Sequence, residues 1–122
     1  MNDIVQFIED LGGLHDARIV DLFWYSSDRR LELQIDDIHA NSQGLPEAAN
    51  PEGGTFIFFE VATFLIDADL GIHDIAIYEW VANMEGKRVR STILCSPGGR
   101  LEIECERIEC RLSKEQSRQQ TT

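Results

Sequence analysis

Thr55-Phe56-Ile57-Phe58-Phe59-Glu60-Val61-Ala62-Thr63-Phe64-Leu65 is a nearly continuous apolar run, broken by Glu60. Side chains on a strand alternate between faces, so Phe56 and Phe58 share one face with Glu60, while Ile57, Phe59 and Val61 share the other. A strand with two apolar faces must be covered on both sides. The run therefore predicts a central strand in a sandwich, with any nearby helix as an extra lid.

The flanking sequence supplies the other strands. Ala17 to Ser26 is rich in β-branched and aromatic residues and reads as a strand. Ser26-Ser27-Asp28-Arg29 is turn chemistry, and Leu31-Glu32-Leu33-Gln34-Ile35-Asp36 alternates cleanly, so the two segments read as a hairpin with one wet face. Residues 39–54 are dominated by Pro, Gly and Asn and form a long loop, a feature that in compact domains tends to be functional or mobile. An acidic connection over Ile66 to Asp74 follows the central run. Ile75 to Asn83 and Arg88 to Cys95 are further strands, separated by a turn at Met84-Glu85-Gly86-Lys87 and followed by one at Ser96-Pro97-Gly98-Gly99. The last strand places Leu101, Ile103 and Cys105 on one face and then Ile108, Cys110 and Leu112. The parity changes between 105 and 108, and a β-bulge near Glu106-Arg107 would return both sets to one side. Ahead of all these, Ile4, Phe7, Ile8 and Leu11 have helical spacing, with Asn2 or Asp3 able to cap the start and Gly12-Gly13 able to end it.

About six strands with short turns and one N-terminal helix predict a mainly β fold with a minor α component. The expected architecture is an antiparallel meander curled into a sandwich or partial barrel. A single β-rich domain over 1–112 would carry a disordered polar tail over 113–122, where apolar residues are absent.

Composition narrows the functional classes. The chain has 122 residues, 43% of them hydrophobic, enough for one core. No apolar run approaches the ~20 residues of a membrane helix, and the start Met1-Asn2-Asp3-Ile4 lacks the basic segment of a signal peptide. Cys95, Cys105 and Cys110 are an odd count without a disulfide-framework spacing, which suits a reducing cytoplasm. Their setting among apolar strand residues reads as buried small hydrophobes. The net charge is −11, and residues 1–86 alone hold 17 acidic residues and three arginines for a net of −14. Such an acidic body argues against nucleic acid and permits a basic protein partner.

One short pattern occurs twice. Gly13-Leu14-His15-Asp16-Ala17-Arg18-Ile19-Val20-Asp21 returns as Gly71-Ile72-His73-Asp74-Ile75-Ala76-Ile77-Tyr78-Glu79, so His15-Asp16 and His73-Asp74 each follow a glycine and precede a strand. Asp36-Asp37-Ile38-His39 adds a third histidine at the rim of the long loop. His15, His39 and His73 with nearby carboxylates could serve a metal- or ligand-binding domain, even a hydrolase, because imidazole and carboxylate suit zinc and iron. Helical ligand spacings such as HExxH are absent, however, and His-Asp neighbours on a strand point to opposite faces. The structural reading is that each Asp accepts backbone N–H bonds where the chain enters a strand, with His bridging buried backbone groups. No metal site, cofactor or catalytic residue is assigned. Glycine-rich phosphate loops and GxSxG are also absent, and Glu102, Glu104 and Glu106 against Arg88 and Arg90 read as cross-strand charge pairs on a solvated face.

Gly13-Leu14-His15-Asp16-Ala17-Arg18-Ile19, followed by a hairpin, resembles the start of small bacterial β-rich proteins with an HDA or HDS motif. Among these are immunity proteins of polymorphic toxin systems, the Immunity protein 50 type in particular. Leu101-Glu102-Ile103-Glu104-Cys105-Glu106-Arg107-Ile108 looks similar to their closing strand, while Gly12-Gly13 stands where Trp-Pro often precedes the His in that group. The resemblance implies a cytoplasmic, non-enzymatic binding protein that blocks a cognate toxin. The expected contact residues for a basic toxin domain are Asp36, Asp37, His39, Glu47 and Glu52 on and beside the long loop. His15, Asp16, His73 and Asp74 are expected to be structural, or a site if the two pairs meet. A homo-oligomer pairing exposed sheet edges is the remaining alternative.

Overall fold

The run from Thr55 to Leu65 is two strands in two different sheets. The computed structural model describes residues 3–42, 51–68 and 75–113. β3 (Gly54–Phe59) and β4 (Thr63–Asp67) are separated by a corner at Glu60, which takes a left-handed φ of 53°. The closing run makes the same crossing in reverse, as β7 (Arg100–Cys105) and β8 (Arg107–Leu112). β3 pairs with β8 and β4 with β7, both antiparallel. Between the pairs Phe59–Arg107 and Thr63–Glu104, the residues Glu60, Val61 and Ala62 face only Cys105 and Glu106. The extra residue lies in the β3–β4 link, opposite Cys105 and Glu106, and not in the closing strand where a bulge was expected; this break in the pairing serves as the corner between sheets. It turns Leu101, Ile103 and Cys105 on one side and Ile108 on the other into one core.

The other strands extend both halves of this bent ribbon. β1 (Ile19–Tyr25) and β2 (Arg30–Ile35) complete a sheet of order β1-β2-β3-β8, and β5 (Ala76–Glu85) and β6 (Arg88–Ser96) complete one of order β4-β7-β6-β5. The β1–β2 turn braces the corner: Val61 N–H donates to the Arg29 carbonyl at 2.8 Å, and the Arg29 guanidinium meets Glu60 at 2.9 Å. The chain is thus mainly β, two antiparallel sheets and one helix, with no closed barrel among the described residues.

Trp80 on β5 sits at the centre of the core, with its ring 4.7 Å from Phe56 and 5.8 Å from Phe58 across the sheets. The two apolar faces of β3 are covered differently. Phe56 and Phe58 enter the shared core, whereas Ile57 is buried on the outer face between its cross-strand neighbours Glu32 and Glu109. The Arg107 guanidinium lies 4.0 Å above the Phe59 ring on that same face. Stems of long charged side chains do the covering there, where a second layer was expected. Helix α1 (Ile4–Asp10) is capped by the Asp3 carboxylate, which accepts from Gln6 N–H at 3.0 Å, and it buries Ile4 and Ile8 in the core. Seven residues form too short a helix to persist alone, so this docking is what holds it.

Candidate functional site

The first His-Asp pair sits where the two sheets meet. After α1 the chain coils through Gly12, Gly13 and Leu14 with φ of 68°, 67° and 54°, and Asp16 is left-handed again at 72°. Gly13 is required there: a Cβ would stand 3.1 Å from the Trp80 carbonyl oxygen and 3.2 Å from its nitrogen. The coil delivers residues 16–19 alongside 75–77. Asp16 N–H donates to the Ile77 carbonyl at 2.8 Å, Ile77 N–H to the Ala17 carbonyl at 2.7 Å, and Ile19 N–H to the Ile75 carbonyl at 2.9 Å. This short seam joins the start of β1 to the start of β5.

Register shifts lie beside the seam on both strands, between Ile19 and Asp21 in β1 and between Ile77 and Glu79 in β5. The second takes Tyr78 out of the β5–β6 pairing, and its carbonyl oxygen is met by His15 Nδ1 at 2.6 Å. A carbonyl only accepts, so the proton is on Nδ1. The imidazole also stands edge-on to the Tyr78 ring at 5.5 Å, and His15 Nε2 lies 3.5 Å from Asp16 Oδ1. Strand geometry would have sent His15 and Asp16 to opposite faces, but neither is in a strand. The left-handed turn at Asp16 puts them side by side, and both are exposed to solvent, His15 the less so.

The long-loop residues form a second constellation. Asp37 is buried, and its Oδ1 accepts from His39 N–H and Glu52 N–H, each at 3.0 Å. His39 Nε2 lies 3.1 Å from Glu52 Oε1, and Ile38 N–H donates to the Glu52 carbonyl at 2.8 Å. Asp37, His39 and Glu52 are therefore brought together and directed at one another across the base of the loop. Asp36 is exposed and accepts from Arg18 N–H at 2.8 Å. Glu47, His73 and Asp74 lie outside the described residues, as does the polar tail from 114 onward. Among the described residues no three His, Cys, Asp or Glu side chains are grouped to hold a metal ion. No disulfide joins the cysteines; burial pushes the Cys95 thiol up and the Cys105 thiol up to about 11.

Charge is distributed unevenly over this framework. On the outer faces of the sheets arginines meet glutamates: Arg88 with Glu104, Arg90 and Arg100 with Glu102, Arg107 and Arg111 with Glu109, and Arg30 with Glu32. Glu106, expected to join the first set, stands at the corner instead. Exposed acidic residues stand on the elements at and beside the seam, Glu9 and Asp10 on α1, Asp16, Asp21 on β1, Asp36, and Glu79 on β5, with Arg18 exposed between them; Asp67, Glu85 and Glu106 are exposed elsewhere. Among them stand two apolar side chains at the register shifts, Val20 at 60% exposed and Tyr78 at 58%.

Val20 and Tyr78 were missed by reading the sequence, although a signal for both exists. Positions packed on the core run 19, then 22, in one strand, and 75 and 77, then 80 and 82, in the other. Each is the same parity change that marks the 105–108 corner.

The fold and this surface define a two-sheet antiparallel β protein with an acidic, aromatic-centred seam. No family model and no curated protein matches the chain. Among solved structures it is similar to the crystal structure of an uncharacterized protein from Neisseria gonorrhoeae, at 15% sequence identity and a TM-score of 0.56, covering 79% of this chain and 90% of that one. At that identity the likeness is one of fold. No helix among the described residues is long and apolar enough to cross a membrane.

Proposed function

We propose that this chain is a non-enzymatic binding protein whose partner is a basic protein surface, and that the cognate toxin of an immunity pair is that partner. The observation that carries the reading is where the unbalanced charge lies. Arginines on the sheet faces are neutralised in place, while exposed Asp16, Asp21, Asp36 and Glu79 outnumber Arg18 on the elements that meet at the seam, where Tyr78 and Val20 are exposed at the register shifts. An aromatic anchor inside a charged rim is the usual make-up of an interface centre. Acidic groups around it accelerate encounter with a cationic face and set the register. His15 contributes by fixing the Tyr78 backbone through Nδ1. The resemblance of the HDA segment to toxin-immunity proteins supports the same class of partner.

Affinity capture from native cells tests the proposal, using the full chain beside a variant carrying Asp21→Lys, Glu79→Lys and Tyr78→Ala. All three residues are exposed, so the variant should fold. The native chain should enrich a basic protein, with recovery falling as salt rises, and the variant should lose it. Equal recovery by both chains, or enrichment of no basic protein, refutes the proposal.

A further inference from the structure

The side of the molecule away from β1 holds a cleft of about 670 Å³. One wall is the first turn of α1 with Asp3, Ile4 and Val5, the floor is Met84 and Val89 at the β5–β6 turn, and the other wall is β8. Four consecutive residues of that wall, 107–110, line the cleft, with Glu106 just ahead of them. A strand that presents a face shows alternate residues; one that presents consecutive residues shows its edge. β8 is the last strand of its sheet, and among the described residues no strand lies beyond it. Its register with β3, in which Ser113 N–H donates to the Gly53 carbonyl at 3.0 Å, makes the odd-numbered residues the ones bonded inward. The backbone N–H and C=O of Ile108 therefore point along the cleft side.

The charge at this edge is also directional. Glu109 is held by Arg107 at 3.2 Å and Arg111 at 3.9 Å, and the Arg107 guanidinium is drawn over Phe59 on the outer face. The acidic groups left at the cleft mouth are Glu106 and Asp3, and Asp3 spends one oxygen on the helix cap.

The geometry points to strand addition: the β8 edge and its cleft take an extended segment of a protein partner, with alternate apolar side chains resting on Val5, Met84 and Val89 and a lysine or arginine at Glu106 and Asp3. Main-chain bonds to the edge supply affinity and the cleft supplies side-chain preference. A second copy of this chain fits less well, since each copy carries a net charge of −11. The site shares no residue with the seam, so it stands or falls separately from the proposed function.

The test is a titration of the isotope-labelled full chain, followed by amide NMR, with a nine-residue peptide of alternating valine and lysine. Controls are the same peptide N-methylated along one edge and a valine–glutamate counterpart. The expected result is shift changes at Ile4, Val5, Met84 and 106–110, and exchange of the Ile108 amide slowed about tenfold or more. Binding should weaken about tenfold or more with the N-methylated peptide, with the glutamate peptide, and in a Met84→Lys variant, whose exposed side chain is not needed for folding. Shift changes spread over the acidic surface, equal binding of the N-methylated peptide, no binding, or occupation of the edge by a second copy at sedimentation equilibrium would each overturn the inference.

Discussion

Replacing Gly13 by alanine should destabilise the fold by about 2–5 kcal/mol, from two separable causes. Its φ of 67° is left-handed, which costs an L-residue with a Cβ roughly 1–2 kcal/mol. The new methyl would also stand 3.1 and 3.2 Å from the Trp80 carbonyl oxygen and nitrogen, and Trp80 is fixed in the β5–β6 ladder. Overpacking of that kind adds about 1–3 kcal/mol. Gly86 provides the control: its φ is 64°, and a Cβ there would meet nothing within 4 Å. Gly86→Ala should therefore show the conformational cost alone, and the unfolded-chain effect of Gly→Ala cancels between the two variants. Urea unfolding followed by circular dichroism measures both. With a slope of about 1.5 kcal/mol per molar, a 3 kcal/mol loss moves the midpoint by about 2 M. If Gly13→Ala and Gly86→Ala agree within about 0.5 kcal/mol, the close approach of the coil to β5 is not a stabilising contact and the reasoning fails.

Other perturbations probe the remaining features. Asp37→Ala strands two backbone N–H donors at the loop base and should cost about 2–4 kcal/mol, whereas Asp37→Asn keeps an acceptor and should cost less than half of that; thermal unfolding distinguishes them. The Ser91 hydroxyl is buried and unpartnered, so Ser91→Ala should be neutral or stabilising by about 1 kcal/mol by the same assay. Cys105 keeps its proton in the folded state up to about pH 11, against 9.0 for an ordinary thiol. The unfolded chain loses that proton first, so the contribution is fully present below pH 9 and is lost as pH climbs toward 11. Urea midpoints over that window should fall for the native chain and fall less for Cys105→Ala, although the variant is less stable throughout.

Much of the fold was legible because periodicity reports local backbone. The alternation at Leu31-Glu32-Leu33-Gln34-Ile35 became β2, and the parity change between Cys105 and Ile108 marked the corner where the closing run passes from one sheet to the other. Thr55 to Leu65 read as one strand because its corner is made by Glu60 and Val61, without glycine or proline. The left-handed turn of Glu60 is held by Arg29 from a distant hairpin. The parity changes at 19–22 and 77–80 carry the same signal as the one at 105–108 and mark the two register shifts. The candidate site was less legible because its key bonds are non-local. His15 meets a backbone carbonyl 63 residues away, and no side-chain pattern encodes a carbonyl. Asp37 and Glu52 sit 15 residues apart, and only closure of the loop base turns them toward each other.

The seam at residues 16–19 and 75–77 underlies both the fold and the proposed binding surface, because it sets the His15-Asp16 pair against Tyr78. Native-state hydrogen exchange at the amides of Asp16, Ile19 and Ile77 tests it most directly, since each donates across the seam. The account predicts that these three amides are protected to within about 2 kcal/mol of the slowest core amides, and that Gly13→Ala lowers their protection more than that of β3. Exchange of all three at the rate of an unstructured chain would mean that the sheets are not joined there, and would contradict the account.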